Sequence, residues 1–168
     1  MQWRPAYVGL GSNLDDPRLQ IRRALAALEG LPHTRLERYS SMYGSRPLGP
    51  AAQPDFVNAV AVLLTQLEAP QLFRALRTLE SELGRAPSGE RWGPRRIDLD
   101  LLIYAQLQLE GPELQLPHPG IVARNFVLYP LNEVAPELEV PGRGRVGELA
   151  AVVSPEGIWR LQDETMPQ

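Results

Sequence analysis

The sequence contains no cysteine among its 168 residues, which excludes disulfides, thiolate zinc sites and thiol nucleophiles together. It contains no lysine either, so all 17 basic residues are arginine. Schiff-base and pyridoxal chemistry are closed to it, and so is a P-loop, which needs its lysine. His33 and His118 are the only histidines, too few for a histidine-built metal centre. No apolar run approaches the roughly 18 residues that span a bilayer. The start, Met1-Gln2-Trp3-Arg4-Pro5, leads into an apolar stretch too short for a secretory signal. A cytoplasmic protein with no membrane partner is expected. Any phosphate it holds must be held by arginine, backbone amides or a metal.

The net charge of −3 argues against a nucleic-acid partner, whose binder normally carries a basic footprint. Locally the sign reverses. Arg85, Arg91, Arg95 and Arg96 fall within a dozen residues, just before Asp98 and Asp100.

The length fits one domain over 1–168, with no repeat or linker to divide it. Ala6 to Leu10 reads as a first strand, ending in the turn-rich Gly11-Ser12-Asn13; Gly9-Leu10-Gly11 is a tight strand-to-helix turn rather than a dinucleotide fingerprint. Asp15 or Asp16 caps a helix with Pro17 at its first position, Ile21, Leu25 and Leu28 on its apolar face and Gly30 at its end. Arg35 to Tyr43 forms a second strand, Ser45 to Pro54 an irregular loop, and Phe56 to Thr65 a third strand. Pro70 opens a helix striped by Leu72, Leu76, Leu79 and Leu83 and closed by Gly84. The loop Arg85 to Pro94 feeds a strand from Ile97 to Tyr104, followed by a hairpin from Leu107 to Leu116 and a helical stretch through Asn132. The last thirty residues carry weaker signals. The order β-α-β-β-α-β predicts an α+β fold, a ferredoxin-like sandwich on a mostly antiparallel sheet.

Chemistry concentrates in Ile97-Asp98-Leu99-Asp100-Leu101. Alternation puts the apolar residues on one strand face and both aspartates on the other. At about 3.3 Å of rise per residue, the aspartates lie about 6.6 Å apart and can converge on one or two hard cations. A solvated sheet face would leave two like charges to repel each other, which favours metal binding. Four arginines beside two aspartates leave positive charge over, and a polyanion such as a nucleotide triphosphate would absorb it. Phe56 and Asn58 share a strand face, so a ring plane and an amide could jointly hold a flat heterocycle. Residues 117–119 and 124–126 add a histidine, an arginine and another aromatic.

Five segments occur in a set order: Gly9-Leu10-Gly11-Ser12-Asn13, Arg46-Pro47-Leu48-Gly49-Pro50, Gln53-Pro54-Asp55-Phe56-Val57-Asn58, Arg91-Trp92-Gly93-Pro94-Arg95-Arg96-Ile97-Asp98-Leu99-Asp100 and Pro117-His118-Pro119. In that order, from about Tyr7 to Pro141, the chain resembles the 6-hydroxymethyl-7,8-dihydropterin pyrophosphokinase (HPPK) family of folate biosynthesis. The resemblance implies a ferredoxin-like α/β/α sandwich that transfers diphosphate from ATP to the pterin hydroxymethyl group, releasing AMP. It implies two magnesium ions on Asp98 and Asp100, and catalytic roles for Arg85, Arg91, Trp92 and Arg95 beside them. Arg77, Glu80, Arg85, Arg95, Ile97, His118 and Arg124 would surround the ATP. The pterin would stack between Phe56 and Phe126, with Asn58, Ser45, Leu48 and Trp92 also at its site. Small-molecule substrates and a monomer are the expected partners and state. The chain departs from the family pattern at Phe56, often tyrosine; at Pro87, often basic; and at Arg77, glutamine in some members. Two other readings share the motifs: a two-metal nucleotidyltransferase, which would release pyrophosphate, and a non-catalytic nucleotide-sensing module.

Overall fold

The computed structural model describes residues 2–47, 52–84 and 96–162. Five of the candidate site residues named above, Leu48, Arg85, Arg91, Trp92 and Arg95, lie outside them, as does Pro87. The first strand, β1 (Arg4–Ser12), runs through both glycines of Gly9-Leu10-Gly11 rather than turning at them. It is an inner strand, antiparallel to β4 (Phe56–Thr65) on one side and to the edge strand β5 (Asp98–Tyr104) on the other. Between β1 and β4 come α1 (Pro17–Glu29), β2 (Thr34–Tyr39) and β3 (Tyr43–Ser45), and α2 (Ala69–Gly84) connects β4 to β5. The strand expected over Arg35 to Tyr43 is therefore two. Ser40 separates them: its hydroxyl takes the Val60 N–H at 2.9 Å, a bond a ladder carbonyl would otherwise make. β2 and β3 both pair antiparallel with β4, at different stretches of it.

After β5 come a small hairpin, β6 (Leu109–Glu110) and β7 (Gln115–Leu116), then a 3-10 turn (Ile121–Ala123) and α3 (Asn125–Val134). A second hairpin, β8 (Glu139–Val140) and β9 (Gly144–Arg145), precedes α4 (Val146–Val152) and β10 (Ile158–Arg160). β10 pairs with β3, so the sheet reads β10-β3-β4-β1-β5 with β2 also on β4. The four strands β5-β1-β4-β2 are those of the expected ferredoxin-like unit.

Both sheet faces are covered. On one, Ile21 and Leu28 of α1 and Leu72 and Leu76 of α2 are fully buried against Val8, Leu63 and Leu99. Each such side chain contributes roughly 1.5–3 kcal/mol by leaving water. Asp16 caps α1, its side chain accepting from the Leu19 N–H at 3.4 Å, with Pro17 at the first position as the sequence predicts. On the other face, Leu128 and Leu131 of α3 pack with Val146 of α4 on Tyr7, Val62 and Ile103. That second layer leaves the sheet open beyond Gly9 and Gly11, and a cavity lies there.

Candidate active site

Strand register builds the floor of the cavity. Gly11 lies opposite Asn58 of β4 on one side and Asp98 of β5 on the other; Gly9 lies opposite Val60 and Asp100. The sequence suggests a turn at these glycines. Their structural effect is a bare strip of backbone between an amide and two carboxylates, a signal visible in the sequence only once β1 is known to run through them.

The cavity measures about 290 Å³ and is lined by Phe56 and Phe126, Asn58, Ser45, Arg124 and both aspartates, among others. The alternation of β5 holds as expected: Leu99 and Leu101 are in the core, while Asp98 and Asp100 are half-buried and face the cavity. Asn58 is buried and donates to the Ser45 hydroxyl at 2.7 Å, which fixes the amide plane. Its Oδ1 then lies above Gly11, 3.3 Å from where a Cβ would stand. Arg46 and Gln53 also line the cavity, and sequence reasoning did not single them out individually. Gln53 is placed by Asn13, whose Nδ2 donates to its Oε1 at 3.0 Å and to the Pro54 carbonyl at 3.3 Å.

A second cavity of about 320 Å³ adjoins the first, lined by Phe73, Arg77, Asp100 and His118 among others. Asp100 belongs to both. His118 accepts from the Gly120 N–H through Nδ1 at 3.0 Å, so in the neutral ring the proton sits on Nε2. Burial holds its pKa below the usual histidine value; Asp100 opposes that shift and Arg124 adds to it. The neutral, Nε2–H form is thus the resting state, a hydrogen-bond donor without charge. The Arg124 guanidinium packs on Gly120, where a Cβ would come within 2.7 Å of Cζ, and lies 5.9 Å from the Phe126 ring centroid.

Glu80 approaches from α2. Its Oε2 accepts from the Leu99 N–H at 2.9 Å, on the edge strand between the two aspartates, and its Oε1 accepts from Arg77 at 3.3 Å. Burial raises its pKa, the Leu99 amide and Arg77 pull it back, and Asp98 raises it further. Ile97 is buried in the core against Gly84 and lines neither cavity. Arg96 pairs with Asp15 at 2.8 Å, anchoring the entry to β5 on the β1–α1 turn. Among the described residues no three histidine or acidic side chains cluster as a closed metal cage. Two hard carboxylates on one open face suit magnesium, which keeps waters and substrate oxygens in its shell.

Fold and site together define an α+β scaffold with paired acids between an aromatic-walled cavity and a second, more polar one. Residues 7–136 match the family described as 7,8-dihydro-6-hydroxymethylpterin-pyrophosphokinase (HPPK), and the chain belongs to that family. It is 51% identical over 155 residues to a 2-amino-4-hydroxy-6-hydroxymethyldihydropteridine pyrophosphokinase of Pseudomonas aeruginosa, covering 92% of this chain and 95% of that protein. A Haemophilus influenzae protein of the same name is 43% identical over 144 residues, with 86% and 89% covered. Among solved structures, a Plasmodium falciparum HPPK-DHPS superposes with a TM-score of 0.69 over 89% of this chain, at 12% identity, and shares its fold. The chain spans only 43% of that longer protein.

Proposed function

We propose that this chain transfers the diphosphate of ATP to the hydroxymethyl group of 6-hydroxymethyl-7,8-dihydropterin, releasing AMP, as a pyrophosphokinase of folate biosynthesis. The observation that carries the mechanism is that two cavities meet at Asp100. The cavity with aromatic walls takes the pterin and the polar one takes ATP, so the reacting atoms meet beside the aspartates.

Phe56 and Phe126 stack on the two faces of the pterin, and the Asn58 Oδ1, held by Ser45, accepts from a ring N–H. Asp98 and Asp100 hold two magnesium ions, which when bound neutralise and polarise the phosphate chain. His118 donates its Nε2–H to a phosphate oxygen, and Arg124 adds a charged fork from the other side. The pterin hydroxyl oxygen forms a bond to the β-phosphorus while the bond from that phosphorus to the α–β bridging oxygen breaks. AMP leaves with the electron pair, and the hydroxyl proton passes to solvent. Transfer is direct in this reading: cysteine and lysine are absent, and His118 and the two aspartates are engaged with phosphate and metal rather than acting as nucleophiles. Arg85, Arg91, Trp92 and Arg95 complete the phosphate site and Leu48 the pterin site in this reading, with the whole chain acting as one catalytic domain.

The test is a reaction with ATP, magnesium and the dihydropterin alcohol, resolved by chromatography. AMP and pterin diphosphate are expected in equal amounts, and neither without magnesium. ADP with a pterin monophosphate would refute the β-phosphorus assignment, pyrophosphate release would indicate a nucleotidyltransferase, and ATP binding without turnover a sensing module.

A further inference from the structure

Asn125 stands between two residues of the cavity wall, Arg124 and Phe126, but its own side chain reaches elsewhere. Its Nδ2 donates to the carbonyls of Ser154 at 2.7 Å and Glu156 at 2.8 Å. The segment held in this way runs directly into β10, and β10 is bonded to the opposite wall. Ile158 pairs with Ser45 and Trp159 with Gly44, and the Arg46 N–H donates to the Gly157 carbonyl at 3.0 Å. Ser45 and Arg46 line the cavity from that side. One short stretch of chain is therefore fastened to the start of α3 at one end and to the end of β3 at the other. The N-cap residue of α3, Arg124, makes no side-chain cap bond, and Asn125 links the start of the helix to this segment.

We infer that residues 154–160 are a strap setting the separation of the two cavity walls, and that Asn125 is the positioning residue that fastens it. The inference rests on the reading of this cavity as the pterin site. Stacking needs both walls at van der Waals distance from one flat ring. A gap of about 0.5–1 Å on one face already forfeits a quarter to a half of the attraction there. Of the nucleotide side, β5, α2 and His118 lie away from the strap, and Arg124, although next to Asn125, has its guanidinium packed on Gly120 rather than on the strap, so the effect falls mainly on the pterin.

Two variants act on the strap from opposite ends. Asn125→Ala removes the fastening at α3. Gly44→Ala places a Cβ against the Trp159 indole, which must shift and so strains the pairing of β10 with β3. Each is compared with the wild type by titration with the dihydropterin alcohol, by titration with a non-hydrolysable ATP analogue and magnesium, and by amide exchange at Arg46. The expected result is a rise of about tenfold in pterin Kd and KM, with nucleotide affinity and kcat within about twofold. Exchange at Arg46 should be faster in both variants. Unchanged pterin affinity in variants whose Arg46 amide has been freed would overturn the strap, and so would equal weakening of both ligands. Unchanged exchange at Arg46 would show that Asn125 fastens nothing. A wild type that ignores the pterin overturns the cavity reading and this inference with it, whereas a binding wild type beside equally binding variants overturns the inference alone.

Discussion

Asp98 and Asp100 place two carboxylates on alternate positions of one strand, and across β1 they face only glycine. Replacing either by asparagine keeps shape and removes repulsion, so the fold should lose nothing while turnover falls by about 10³-fold or more, the loss of several kcal/mol of charge stabilisation. Steady-state assays beside thermal melts of Asp98→Asn and Asp100→Asn check this; near-normal turnover in limiting magnesium would contradict it. At the aromatic wall, Phe56→Ala should weaken pterin binding by roughly 1–3 kcal/mol, the scale of one ring-stacking contact, and leave nucleotide binding near wild type. Calorimetric titration with each ligand separates the two effects. Gly120 offers a subtler lever. A methyl there meets the far end of the Arg124 side chain rather than backbone, so Gly120→Ala should leave the melting temperature alone while raising KM for ATP. A lowered melting temperature with unchanged KM would show that Gly120 matters only to folding.

At the scale of elements, α3 is moored to the sheet through Glu133, which accepts from the Tyr43 hydroxyl at 2.7 Å and from the Ser41 N–H at 2.8 Å. Burial, with the Glu133 carboxylate adding to it, pushes the Tyr43 pKa up to about 12 from 10.0. The folded chain thus keeps a proton that the unfolded chain releases, and stability falls as pH rises from about 10 towards 12. Tyr43→Phe should flatten that alkaline fall, measured as melting temperature against pH. Most of these elements were legible in the sequence because their periods are regular and their ends are marked: α1 between Asp16 and Gly30, α2 along its leucine stripe, and β5 by strict alternation. What was hidden depends on partners distant along the chain. The break at Ser40 comes from a hydroxyl standing in for a carbonyl opposite Val60, and β10 is a three-residue strand that exists because β3 offers an edge. The aspartates, Phe56 and Asn58 could be chosen as site residues from spacing. Gln53 and Arg46 line the cavity through contacts that no local pattern announces.

For the whole molecule, ligands that bind only the folded chain must raise its melting temperature. At about 100 times Kd a ligand adds about 2.7 kcal/mol, and at roughly 2–4 °C per kcal/mol for this size the shift is about 5–11 °C. A non-hydrolysable ATP analogue should produce it with magnesium and much less of it without, read by scanning fluorimetry. Among the described residues no helix is long and apolar enough to cross a membrane. The glycine floor bears on how such a site could escape an inhibitor. A compound that reaches down to β1 uses depth that exists because two side chains are missing, and one added methyl makes the site shallower. At Gly11 that methyl would press on the Asn58 oxygen at 3.3 Å and disturb the natural substrate as well. At Gly9 its nearest neighbour is the Leu102 side chain, at an ordinary 3.5 Å. Resistance to a deep-seated antifolate should therefore arise at Gly9 and spare Gly11, and compounds that stop at the height of the aromatic walls should be immune to it.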